Sequence, residues 1–242
     1  MSLLVPPRRP SREILDDESL PSEEMYRSLR DLSLVNRRWG ASRALERYLV
    51  PRLKASVGGR VVILDLGAGS AETSGRLRDA LARAGCGATV VGLDIQWRHL
   101  AAGRRLMGRS APPPAVAADA FRLPFRDGAA DWAVSTLFFH HFSPAQNMTL
   151  LKEMTRVARR GFAILDLARN RISLAFVRVA GRLLFESPIS VEDGAASVRQ
   201  AYTREEALSL ARAAVPLARV EKVFPFRLLI SGPVRREPSG SV

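Results

Sequence analysis

Acidic residues and a pair of histidines stand where apolar runs of the chain end. Asp65-Leu66-Gly67-Ala68-Gly69 closes the run Val61 to Leu64, Asp94 closes Thr89 to Leu93, and Asp119-Ala120 follows Ala115 to Ala118. His140 and His141 follow the segment Asp131 to Leu137, and Asp166 closes Gly161 to Leu165. Two glycines after a buried strand let the chain turn sharply and bring a ligand against backbone N–H groups at the start of the next helix. A dinucleotide fingerprint would need a small residue at position 72, where Glu72 stands, so NAD and FAD are disfavoured. Asp94 is suited to accept hydrogen bonds from both hydroxyls of a ribose. Asp119 can receive an exocyclic amino group from an adenine lying against Ile95. No Walker lysine loop is present and the acids would repel a polyanion, so the ligand implied is an adenosine without phosphates. A histidine with a carboxylate beside it can deprotonate a phenol or enol, the carboxylate orienting the ring and stabilising imidazolium. His140 is the expected base and Asp166 its orienter. Neighbours at a strand end point opposite ways, so one histidine alone is expected to face the ligand.

These positions need a sheet that brings several strand ends together. Val61 to Leu66 is a short continuous apolar run, the pattern of a strand buried on both faces, which implies a parallel sheet. The rhythm then repeats: helical spacing from Ala71 to Ala84, a strand to Asp94, a helix near Trp97 to Met107, and a strand Ala115 to Ala118. Asp131 to Leu137, a helix from about Pro144 to Ala158, and the strand Gly161 to Leu167 continue it. Alternation of this kind argues for a doubly wound α/β fold. Thr203-Arg204-Glu205-Glu206 has the form of a capping box, and Arg219–Phe224 and Phe226–Ile230 flank Pro225 as a terminal β-hairpin. The sum is a Rossmann-like, mostly parallel seven-stranded sheet. Before it, Met25, Leu29, Leu32, Val35, Leu45 and Leu49 recur at helical spacing around a break at Gly40, with Ser22 a cap, which reads as an N-terminal helical cap.

The expected division is a flexible leader over 1–22, the helical cap over 23–57, the α/β domain over 58–232 and a flexible tail over 233–242. An insertion at 169–201 holds the amphipathic stretch Ile172 to Phe185, where α/β proteins build substrate pockets. A lid is the favoured reading of that stretch, ahead of transient contact with a membrane surface. Trp39, Trp97 and Trp132 read as core or pocket wall, His99 as solvent-facing and Cys86 as a small packed hydrophobe.

Composition narrows the classes. With 47% apolar and 25% charged residues, the 242-residue chain is neither disordered, collagen-like nor a coiled coil. It has no run long enough to span a bilayer and no apolar signal core in the first twenty residues, so a cytoplasmic protein is expected. A net charge of +13 invites a nucleic-acid partner, but the basic residues are mostly arginines scattered along the chain rather than gathered in an arm, which argues against one. No cluster of histidine, cysteine and carboxylate has metal-ligand spacing, so no metal is expected.

Taken together, Val61 to Gly69, Gly92-Leu93-Asp94-Ile95, Ala118-Asp119-Ala120 with Leu123-Pro124-Phe125, and Leu137-Phe138-Phe139-His140-His141-Phe142 resemble the class I S-adenosylmethionine-dependent methyltransferases. The branch is the small-molecule one that includes quinone-biosynthesis and natural-product enzymes. Leu32 to Arg37 and Ser197 to Ala201 are similar to bacterial methyltransferases of type III polyketide pathways. The resemblance implies S-adenosylmethionine as cofactor, with Asp65 at its methionine end, Asp94 on the ribose and Asp119 on the adenine. Gly67, Ala68, Gly69, Ile95, Ala120 and Leu137 would complete that pocket. Family members often carry glycine where Ala71 stands, a change expected to be tolerated if the helix begins there, and the insertion has Glu192-Asp193-Gly194 where histidine is expected first. The implied activity is methyl transfer to a hydroxyl, or less readily a carbon, of a small apolar or aromatic metabolite, with His140, His141 and Asp166 as catalytic candidates. The alternatives are an RNA or DNA methyltransferase, which would carry an appended recognition domain or an Asn-Pro-Pro-Tyr-like motif, and a cofactor-binding interaction protein without chemistry.

Overall fold

The computed structural model describes residues 5–38, 40–54, 60–108 and 110–234. Two helices come first, α1 (Ser22–Arg38) and α2 (Ala41–Lys54). The α/β unit follows as β1 (Val61–Leu66), α3 (Glu72–Arg83), β2 (Ala88–Asp94), α4 (Trp97–Met107), β3 (Ala115–Ala117), β4 (Ala130–Thr136), α5 (Pro144–Val157) and β5 (Ala158–Leu167). Then come α6 (Arg171–Leu184), α7 (Pro188–Gln200), α8 (Arg204–Ala214), β6 (Arg219–Val223) and β7 (Arg227–Pro233). The strands form one seven-stranded sheet in the order β3-β2-β1-β4-β5-β7-β6. β1 pairs in parallel with β2 and β4, whereas β7 runs antiparallel to both β5 and β6. The expected Rossmann-like sheet with a terminal hairpin is therefore present. Its order reverses between β1 and β4, the place where open α/β sheets bind ligands at their carboxyl ends.

Alternation within β1 builds two cores. Val61 and Ile63 pack with Leu45, Leu49 and Leu53 of α2 and Leu77 and Leu81 of α3. Leu64 and Leu66 face the other way, toward Leu150 and Met154 of α5 and Ala207 of α8. Each side is sealed because strands buried on both faces leave no polar face to water. α2 thus belongs to the layer covering the sheet, and Trp132 lies in that core edge-on to Tyr48, their ring centroids 6.2 Å apart. Cys86 packs beside the same core. Thr203 caps α8 through the Glu206 N–H, with the reciprocal bond from Glu206, as its capping box implied. Among the described residues no helix is long and apolar enough to cross a membrane.

Several expectations are corrected. Trp97 is exposed at the start of α4, because its helix turns that face outward, and Trp39 lies outside the described residues. His99, two residues later, is buried against the leader instead of facing solvent. The leader itself is bound over residues 8–16: Arg8 donates to the carbonyls of Gln200, His140 and Phe142 and lies over the Tyr202 ring, and Arg9 N–H donates to Arg199. Of the tail expected over 233–242, residues 235–242 lie outside the described residues.

The loop after β1 is held by backbone conformation. Gly67 and Gly69 have φ of 66° and 55°, and Ala71 has 54°. α3 begins one residue after Ala71, so Ala71 is a left-handed residue carrying a Cβ rather than a helical one as expected. The side chain is strained there, because a left-handed L-residue sets its Cβ against the following carbonyl. Ala71→Gly should therefore raise the urea midpoint with an unchanged slope, a gain of about 1 kcal/mol.

Candidate active site

A cavity of about 510 Å³ opens at the carboxyl ends of β1, β2 and β4, roofed by α1, α6 and α7. The loop after β1 forms its floor and is tied to β2: Ala68 N–H donates to Leu93 O (2.9 Å) and Gly69 N–H to Asp94 Oδ2 (2.7 Å). Those two N–H groups serve the loop, so a ligand meets the glycine backbone surface and not these donors. α4 leans on the same loop, since a Cβ on Gly103 would meet Ser70 O at 1.9 Å. Asp94 also accepts from Gln96 N–H (2.8 Å), and burial holds its carboxyl above the ordinary value despite both bonds. Ile95 turns its side chain outward, 68% exposed, at the cavity edge. Asp119 is exposed beside it, with Oδ1 accepting the Phe121 N–H at 2.8 Å, and Ala120 is buried behind. Leu137 takes φ 54° and hands its N–H to Leu165 O, ending β4 at the cavity wall.

Asp65 lies deepest. Its Oδ2 accepts from Ser74 Oγ at 2.6 Å, while Oδ1 is buried without a partner. Burial pushes the carboxyl up to about 7, against the pull of Ser74 and with help from the nearby Asp94 charge.

On the far wall, His140 and His141 do not sit on a strand. The residues Phe139–His141 form a 3₁₀ turn, which replaces strand alternation with steps of a third of a turn. Both rings consequently face the cavity, 4.3 Å apart at their centroids and inclined by 30°, which corrects the expectation that one alone would. Asp166 grips His140 twice: Oδ1 takes the Nδ1 proton at 2.6 Å and Oδ2 the backbone N–H at 2.9 Å. The dyad expected from the sequence is thus brought together.

A third member was missed. Glu13, from the leader, sets Oε1 3.4 Å from His140 Nε2, and Ser197 Oγ and Gln200 Nε2 donate to the same carboxylate. Asp193 of α7 anchors this segment by accepting the N–H groups of Ile14 (2.8 Å) and Leu15 (2.9 Å). Glu192, at the position where histidine was expected, is exposed beside it. Burial alone would lower the His140 pKa, but the Asp166 and Glu13 carboxylates on its two nitrogens lift it to about 10. Both carboxyls are in turn held below their ordinary values by the imidazolium, which overcomes their burial. His140 is therefore cationic at neutral pH rather than a free base. Nothing in a polar leader without periodicity marks Glu13, which is one of four acids between residues 13 and 18.

Glu13, His140 and His141 also offer nitrogen and oxygen atoms within 4.8 Å of one another, a grouping that sequence spacing hid. His140 Nδ1 is already bonded to Asp166 and its Nε2 faces Glu13 across 3.4 Å, so its charge sits between two carboxylates. The grouping is an ion network.

Residues 63–161 match the family model described as a methyltransferase domain. A demethylmenaquinone methyltransferase of Beutenbergia cavernae is 37% identical over 122 residues, which is 50% of this chain and 45% of that protein. The chain thus spans about half the length of this curated relative. In fold it is similar to the plantazolicin methyltransferase BpumL, at a TM-score of 0.63 and 14% identity over 88% of this chain and 97% of that one. It is also similar to a SAM-dependent methyltransferase of Aquifex aeolicus, with a TM-score of 0.54 and 16% identity over 84% of this chain and 98% of that chain.

The Asp65 carboxyl has a testable signature. Its pKa is about 7 in the fold against 3.8 for an ordinary aspartate, so its contribution to stability is complete below 3.8 and is lost as pH rises through 7. Urea titrations should show Asp65→Asn gaining on the wild type between pH 5 and pH 8; a gap that stays constant with pH would contradict the buried, protonated state.

Proposed function

We propose that the chain, a class I S-adenosylmethionine-dependent methyltransferase, methylates a hydroxyl of a small apolar or aromatic metabolite of polyketide, phenol or quinone type. One observation carries the reading: the His140–Asp166 pair lines the same cavity as Asp94 and Asp119. The cofactor fits the residues present. An outward Ile95 and an exposed Asp119 suit an adenine, Asp94 a ribose, and the unpartnered Oδ1 of Asp65 a cationic amino group at the methionine end. When bound, S-adenosylmethionine supplies a methyl group on a sulfonium, open to in-line displacement by an oxygen. The loop Gly67–Gly69, Ala120 and Leu137 supply the remaining walls.

Alignment and proton removal are what the protein must provide. Phe138, Phe142 and Phe121 form an edge-to-face cluster with centroids 4.7 and 4.8 Å apart, a surface suited to a flat apolar acceptor. The demethylmenaquinone methyltransferase that is similar over half the chain supports a quinone-like member of that class. Asp166 fixes the His140 ring so that Nε2 alone is left for the acceptor, in the position Glu13 now holds. A neutral His140 facing a phenol and an imidazolium facing a phenolate carry the same protons, so His140 serves as base and then as counter-ion. His141, beside it, packs against the same acceptor position. In this reading 58–232 is the methyltransferase domain, 23–57 its helical cap and 169–201 the lid, in a cytoplasmic enzyme.

Two experiments test it. Calorimetric titration with S-adenosylhomocysteine should show binding that Asp94→Ala weakens by at least about tenfold, or 1.4 kcal/mol; a folded protein that does not bind would remove the cofactor. With an acceptor from a screen of phenols, quinones and polyketides, His140→Ala should lower turnover about a hundredfold or more. The pH dependence of kcat/KM should rise toward a limb near 10, and Glu13→Gln should move that limb to lower pH, because it removes one of the two charges that raise His140. Full turnover in His140→Ala would end the base assignment.

A further inference from the structure

The outer face of α6 is exposed, although its inner face is well packed. Ser173 and Gly181 are buried inward, and α7 covers that side. Ile172, Phe176, Val179 and Leu183 recur at spacings of four, three and four, so they form one stripe along the helix. Val179 is 64% exposed and Leu183 79%. Phe224, 92% exposed, stands at the turn between β6 and β7, two residues before Phe226, whose ring lies 5.7 Å from that of Phe176. Single exposed apolar residues are ordinary, but a continuous row with an exposed phenylalanine beside it marks an interaction surface.

The row has a second one beside it. Arg171, Arg178 and Arg182 are exposed on the adjoining face of the same helix and make no ion pair among the described residues. An apolar stripe flanked by a parallel cationic row is the pattern of a helix lying in the plane of a lipid interface, side chains in the acyl boundary and arginines among anionic headgroups. A net charge of +13 favours the same surface. The stripe is also continuous with the cavity mouth, since Phe176, Pro225 and Phe226 line the cavity. We propose that the outer face of α6, with Phe224, docks the protein on an anionic bilayer and turns the cavity mouth toward the lipid. The docking rests on this surface alone, so its test stands apart from that of methyl transfer.

Flotation of the full chain with phosphatidylcholine vesicles, with and without phosphatidylglycerol, decides it. The wild type should float with the anionic vesicles. Val179→Ser with Leu183→Ser leaves the charge unchanged and should weaken partitioning about tenfold or more, since two exposed apolar side chains no longer enter the lipid. Arg178→Gln with Arg182→Gln should weaken it about tenfold or more as well. An unchanged far-UV circular-dichroism spectrum and urea midpoint show that each variant is folded. Unchanged flotation of the serine variant would mean that net charge alone was at work, and would overturn the proposal, as would no flotation of the wild type. A wild-type dimer in sedimentation velocity that the serine variant dissociates would overturn it too, by giving the face to a second copy.

Discussion

A positive charge at His140 keeps two carboxylates ionised where burial would otherwise neutralise them. Asp166 arrives on β5, Glu13 on the leader and His140 on the turn after β4, so one proton joins the leader to two neighbouring strand ends. Without the imidazolium the two carboxylates would be left uncompensated in a dry site, which is costly. The surrounding polar groups serve this arrangement: Ser197 and Gln200 direct Glu13, and Asp193 fixes the backbone just after it. α7 is thereby fastened to the leader by hydrogen bonds.

The opposite wall is organised differently. There the floor loop is pinned by backbone conformation and by Asp94, whose two oxygens receive N–H groups from the loop and from the start of α4. The same carboxylate that suits a ribose is thus a structural tie between β1 and β2. Asp65 below it holds a proton because it has one hydroxyl partner and no cation. A cationic amino group would shift both acids back toward their ionised forms, so ligand charge and loop rigidity are linked.

Much of this was legible in the chain. The buried strands announced themselves as unbroken apolar runs, and the acids at their ends fell where a doubly wound sheet gathers side chains, so Asp65, Asp94, Asp119 and Asp166 follow from periodicity plus topology. The His140–Asp166 contact followed from neighbouring strand ends. What periodicity does not encode was misplaced. A 3₁₀ turn has no pattern of its own, which hid that His141 faces the cavity with His140. Glu13 and His99 depend on a leader whose path is set by contacts with α7 and α4, at sequence separations that no local signal reports.

That separation has a consequence for assembly. Glu13 and Gln200 are 187 positions apart, and Arg8 reaches carbonyls on both the turn after β4 and the end of α7. The contacts of Arg8 and Glu13 with the end of α7 cannot form until α7 has been made. A nascent chain can pair β1, β2 and β4 while the leader still ranges free, and contacts of such long range form late. The acid–base character of the site is therefore acquired last, when the two ends of the fold close on each other.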